Sequence, residues 1–185
     1  KPTYTIAFIC IIYSIVGLVW HELKHRESIS IVKDLDWHTF FFLIGIFILV
    51  GSLTHIGVID DIANSIITFT KGNKFLAYTI IVWLSVLLSA FIDNIPYIVA
   101  MIPVAKLVAV SLGVSPELFL FGLLIGTSLG GNITPIGASA NVVAVGLLRK
   151  EKHLVKFGDF VKIGLPFTIA AVSVAYLFLW FVWGK

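Results

Sequence analysis

The chain has 185 residues, of which 59% are hydrophobic and 12% charged, with a mean hydropathy of +1.05. A soluble domain averages about 45–50% apolar and about 25% charged residues, so a soluble enzyme and a disordered segment are both excluded. The net charge of +3 comes from thirteen Lys and Arg placed between apolar blocks rather than along one face, so no nucleic-acid partner is expected. The lone Cys10 sits in an apolar run, which leaves neither a disulfide framework nor a thiolate metal site.

Five uncharged blocks follow in chain order: 4–20, 37–53, 75–92, 118–148 and 163–184. About 20 apolar residues cross the hydrocarbon core as a helix. Strands of a membrane barrel alternate over about 10 residues, whereas here both faces are apolar, so the protein reads as all-helical. The first block has no A-x-A cleavage pattern and ends on Trp20, which favours a span over a signal peptide. Lys1 stands where an initiating methionine would, so a fragment or an excised domain is expected.

Two blocks do not read as plain spans. After Ile92 comes Asp93-Asn94-Ile95-Pro96 and then an apolar arm, 97–110, about 21 Å long as a helix and too short to cross alone. A re-entrant hairpin over 75–110 with its turn at 93–96 fits this pattern. Two full helices joined by an aqueous turn are the alternative. The block 118–148 would be about 46 Å long as one helix. Its middle, Gly130-Gly131-Asn132-Ile133-Thr134-Pro135-Ile136-Gly137, is unsuited to an unbroken helix. Two half-helices, 118–129 and 138–148, with an unwound middle explain both features. Non-helical backbone at membrane depth persists only where protein or a wet cavity satisfies its polar groups, which points to a site.

With one span per block and a returning hairpin, eight basic residues fall on one side and five on the other. That bias makes the loops 21–36 and 149–162 cytoplasmic.

Of ten acidic residues, only Asp93 lies inside an apolar stretch. A carboxylate there is a functional-site candidate by default, suited to a coupling cation or a proton. The structural alternative is a helix N-cap ahead of the first-turn Pro96. Asn94 and Asn132 stand at the two breaks, and Gly131, Thr134, Pro135, Ser139 and Asn141 belong to the second. Helices opening near Tyr97 and Ala138 aim positive N-termini inward, while those closing near Ile92 and Leu129 present free carbonyls. Donors suit an oxyanion, and carbonyls with side-chain oxygens suit Na+. Close helix packing is the structural alternative for the glycines. The five histidines form no ligand pair at helical spacing and read as loop or interfacial residues. His55 with Asp60 and Asp61 marks residues 54–70 as an amphipathic interfacial segment, and Trp20, Trp37, Trp180 and Trp183 mark membrane boundaries.

At 93–103 (DNIPYIVAMIP) and 130–143 (GGNITPIGASANVV) the sequence resembles the ArsB/NhaD ion-transporter superfamily. Within it, the arsenite-pump-like and P-protein-like permeases, grouped as the citrate-transporter-like domain, are nearest. LDWHTFFFLIGIFILVGSLTHIGVID around Trp37 and FGDFVKIGLPF around Gly164 support this, in the right order over most of 35–167. The resemblance implies a fold of two inverted repeats, each with spans, a re-entrant hairpin and a broken transmembrane helix. By that resemblance this chain is the second, C-terminal repeat. Its elements would be spans at about 4–20 and 37–53, the hairpin at 75–110, the broken helix at 117–148 and a last span at 160–184. Asp93 and Asn94 match the hairpin tip, where sodium/dicarboxylate relatives carry Ser-Asn-Thr. Thr134, Pro135 and Asn141 match the unwound loop. In such relatives the two loops bind the coupling sodium and one end of the anion, which implies Na+ at Asp93, Asn94, Asn132 and Thr134. Asp in place of Ser leaves proton or other coupling open. Many arsenite-pump-like members have Asn-Gly-Thr-Leu where this chain has Asn132-Ile133-Thr134-Pro135, so arsenite is not singled out.

The expectation is therefore a secondary active transporter for a small anion or oxyanion, inorganic or carboxylate, coupled to Na+ or H+ and holding no other cofactor. The expected location is the prokaryotic plasma (inner) membrane. Its partners would be the bilayer, the first repeat of the same protein and a second copy in a homodimer. A passive anion channel on the same fold is the alternative. An intramembrane aspartyl hydrolase needs two membrane carboxylates and only Asp93 exists, while a metal-dependent one needs an H-E-x-x-H helix that the sequence lacks. The chain is therefore not read as an enzyme.

Overall fold

The computed structural model describes residues 2–25 and 37–184. Among them it has eight helices and no strand: α1 Pro2–His25, α2 Trp37–His55, α3 Val58–Thr70, α4 Lys74–Ser89, α5 Asn94–Ser111, α6 Glu117–Gly130, α7 Ser139–Lys150 and α8 Phe157–Trp183. The chain divides into two compact units, 1–42 and 43–185. In the first, α1 is apolar on every described face, and the rings of Trp37, Phe40 and Phe41 meet at centroid distances of 5.6–6.1 Å. A helix apolar all round needs an apolar surrounding. Most of the loop assigned to the cytoplasmic side, 26–36, lies outside the described residues.

In the second unit α6 is central and packs on α4, α5 and α8, while α3 packs on α5. Small residues set the α4–α6 distance. Gly122, Gly126 and Gly130 recur every four residues along one face of α6, and a Cβ at Gly126 or Gly130 would stand 2.5 Å from the carbonyl of Val82 or Val86. Close backbone approach of this kind is how helices associate where lipid removes the hydrophobic drive between them. The burial pattern agrees. Ser85, Ser89, Thr127 and Thr168 are buried, whereas Ile163, Val174 and Phe181 of α8 face outward with 69–76% of their surface exposed. Such a surface is stable against hydrocarbon, not water. α5 and α8 are each long and apolar enough to cross a bilayer, and α2 with α3 makes a third crossing if the pair is one broken span. The chain is an all-helical integral membrane protein.

Two differences from the sequence reading, the place of the first break and the length of α5, have local causes. The first break falls at 90–93 rather than 93–96, because Asp93 caps α5 and leaves Asn94 and Pro96 in its first turn. Proline is tolerated there, since the early N–H groups of a helix have no intrahelical partner. α5 consequently runs for 18 residues, about 27 Å, and is no longer too short to cross. α6 packs against both α4 and α5, which touch each other less. The segment read as amphipathic contains α3, which buries Ile59, Ala63, Ile66 and Thr70 and exposes Asp60 and Asp61. α3 turns by 66° from α2 at Gly57, whose φ of +85° a residue with a Cβ adopts only under strain.

Candidate functional site

The block 118–148 splits into α6 and α7 with residues 131–138 non-helical between them. The two breaks, 90–93 and 131–138, meet. Thr134 Oγ1 donates to the carbonyl of Ala90, which lies past the end of α4 and has no partner in that helix. The same oxygen accepts from Ile136 N at 3.3 Å, closing a small turn within the loop. Asn141, one turn into α7, reaches back with Nδ2 to the carbonyls of Gly131 (2.8 Å) and Thr134 (3.0 Å). One amide thus ties two carbonyls of the unwound stretch together, that of Thr134 also accepting from Gly137 N at 3.3 Å.

Asp93 closes the arrangement. Its Oδ1 accepts from Ile95 N at 3.2 Å, the N-cap bond of α5, and its Oδ2 accepts from Ser139 Oγ at 2.7 Å. Ser139 is the first residue of α7, so one carboxylate ties together the N-termini of two helices. Both termini carry partial positive charge, and Asp93 accepts a hydrogen bond from each of the two helices. Capping and site roles coincide in this residue.

Ser89 and Asn94 supply a second tie. Ser89 Oγ stands 2.6 Å from the carbonyl of Thr127 on α6 and within hydrogen-bond distance of the Asn94 side-chain amide. A hydroxyl has one proton. Both contacts are satisfied when Ser89 donates to Thr127 and the Asn94 amide presents its nitrogen to Ser89. Glycines permit the contact: a Cβ at Gly137 would lie 2.6, 2.9 and 3.0 Å from the carbonyls of Gly131, Ala90 and Ser89. A Cβ at Gly131 would meet the Asn94 amide at 2.9 Å.

Of the eight residues singled out from sequence, Asp93, Asn94, Gly131, Thr134, Ser139 and Asn141 belong to this junction. Asn132 and Pro135 face elsewhere. Asn132 lines a cavity of about 520 Å³ with Asp159, Phe160 and Phe167 of the first turns of α8. Pro135 lines a groove along α7. Sequence reasoning missed Ser89, Gly137, Gly164 and Thr168. Gly164 brings α8 against the loop, since a Cβ there would collide with the carbonyl of Asn132. Thr168 Oγ1 then donates to the carbonyl of Leu129 at 3.2 Å. A signal existed for Ser89, a hydroxyl within an apolar run four residues before Asp93. For Thr168, inside an apolar helix, there was none.

The family model for the citrate transporter matches residues 1–185. The chain is 38% identical over 165 residues to an uncharacterized transporter of Mycobacterium bovis, covering 88% of this chain and 38% of that protein. Identity to an uncharacterized transporter of Synechocystis is 32% over 166 residues, covering 81% and 37%. Identity to the P protein of Mus musculus is 32% over 180 residues, covering 90% and 21%. The chain thus spans about two fifths of the mycobacterial relative and about one fifth of the P protein. No solved structure gives a significant match. With apolar helices that cross a bilayer and a family match along its whole length, the chain belongs to the citrate transporter family of membrane transporters.

Proposed function

We propose that the chain is the second repeat of a secondary active transporter that moves a small anion or oxyanion coupled to Na+ or H+. The observation that carries this reading is the Asp93–Ser139 hydrogen bond, which joins the N-termini of α5 and α7 at the meeting of two breaks. Paired helix N-termini offer N–H groups and positive potential to an anion. Asp93, the only carboxylate in an apolar stretch of the sequence, offers the negative charge that a coupling ion needs. A proton or cation arriving at Asp93 competes with Ser139 for Oδ2. Loading the coupling ion therefore alters the tie between α5 and α7, which is a direct route from ion binding to a change in the anion's surroundings.

The first repeat of the same protein would supply the opposing half of the site, and the length of the relatives leaves room for it. The protein would sit in the inner membrane with the loops 21–36 and 149–162 cytoplasmic, alone or as a homodimer. The test is uptake by full-length protein in proteoliposomes, offering arsenite, citrate, sulfate and chloride in turn with Na+ and H+ gradients imposed separately. Accumulation of one anion above its equilibrium level under one gradient is expected. Flux that follows only the anion's own electrochemical gradient would establish the passive channel instead.

A further inference from the structure

Between Arg149 and Lys162 stand five basic residues against two acidic ones, and Arg149, Lys150, Lys152 and Lys156 are exposed. α7 ends here in a tight turn. Lys152 takes a left-handed conformation (φ 65°), with its N–H on the carbonyl of Arg149 (3.1 Å) and that of His153 on the carbonyl of Leu148 (2.9 Å). The turn folds the connection back along α7 and leaves a groove of about 380 Å³. Val142, Val145, Gly146 and Arg149, on successive turns of one face of α7, form one wall, and Val155 and Phe157 of the connection form the other. Apolar side chains also lie open among the cations: Leu154 is 79% exposed and Phe157 51%.

An apolar slot with an arginine in its wall and lysines around it matches one chemistry, an acyl chain joined to an anionic headgroup. We propose that the α7–α8 connection seats an anionic phospholipid, its phosphate at Arg149 and an acyl chain along Val142, Val145 and Gly146. The faces beside the groove favour this occupant over a peptide. Val143 and Leu147 of α7 and Ile163 of α8 are exposed apolar surface, which suits an acyl chain, and the exposed cations around the slot suit an anionic headgroup. The groove is also lined by Pro135 and Ile136, so its occupant touches the unwound loop directly. This inference rests on the membrane character of the chain, not on the transport reading.

Gly146 makes the test clean. A Cβ added there meets nothing within 4 Å, so α7 accepts a side chain at this position, and Gly146→Leu places a bulky one beside Val142 and Val145 in the groove wall. Full-length protein in detergent would be titrated with phosphatidylglycerol and phosphatidylcholine of identical acyl chains, with bound lipid counted by native mass spectrometry. Wild type should bind phosphatidylglycerol at least about fivefold more tightly, the effect of one basic side chain at an anionic surface. Arg149→Gln should remove that preference. Gly146→Leu should weaken phosphatidylglycerol binding although every cation is intact, while Gly146→Ala and the distant Lys71→Gln should not. If Gly146→Leu does not assemble, Phe157→Ser probes the opposite wall with the same expected loss. Equal affinity of wild type for the two lipids would overturn the proposal. So would wild-type phosphatidylglycerol binding by Gly146→Leu, which would mean headgroup attraction without a seated chain. Displacement of the lipid by millimolar inorganic phosphate would reduce the site to one for free anions and overturn it equally.

Discussion

Asp93 separates two roles that a carboxylate in an apolar stretch can play. Asparagine caps helices about as well as aspartate, so Asp93→Asn should leave the midpoint of thermal unfolding in detergent within a degree or two of wild type. The charge is lost, and coupled uptake should fall to background. A cap and nothing more would leave uptake intact. Asn132→Ala should likewise abolish uptake with little loss of stability, since Asn132 lines the cavity toward α8 and none of the side-chain hydrogen bonds that join the two breaks involves it. Gly137 behaves in the opposite way. Alanine there drives a methyl into three carbonyls, an overpacking that costs about 1–3 kcal/mol. The expected result is a clear drop in the unfolding midpoint of Gly137→Ala, and an unchanged midpoint would mean that the two breaks are not in contact.

At the scale of elements, the glycine stripe of α6 sets the packing of the second unit. Gly126→Ala should force α4 and α6 apart and cost about 1–3 kcal/mol. Gly146→Ala, in open space on α7, should be neutral or gain up to about 1 kcal/mol from helix propensity. Unfolding midpoints of the two variants, measured together, check the contrast. The positions of the breaks were legible in the sequence because each is written in local chemistry: an Asp-Asn with a following proline at one, and a cluster of Gly, Asn, Thr and Pro at the other. What joins them was not legible. The Asp93–Ser139 bond spans 46 positions and the Thr134–Ala90 bond 44, and no local pattern encodes such a pairing. α3 was legible in part: His55 with Asp60 and Asp61 marked 54–70 as amphipathic, while the burial of its apolar face depends on α5, far along the chain. The bend at Gly57 hung on a single glycine in an apolar run that also contains Gly45 and Gly51.

For the whole molecule, the apolar composition and unbroken blocks were enough to give an all-helical membrane protein, because the cost of exposed backbone in lipid leaves few alternatives. The junction of the two breaks is then half of a site, built from backbone carbonyls, amides and one carboxylate, with the facing half expected from the rest of the protein. The measurement that tests this most directly is gradient-driven uptake by full-length protein in proteoliposomes, comparing wild type, Asp93→Asn and Ser139→Ala at equal inserted amounts. Coupled accumulation should be present in wild type and absent in Asp93→Asn. Ser139→Ala, which keeps the charge but frees Oδ2, should still accumulate anion with an altered dependence on the coupling ion. Wild-type accumulation by Asp93→Asn, with the same dependence on the gradient, would contradict the account.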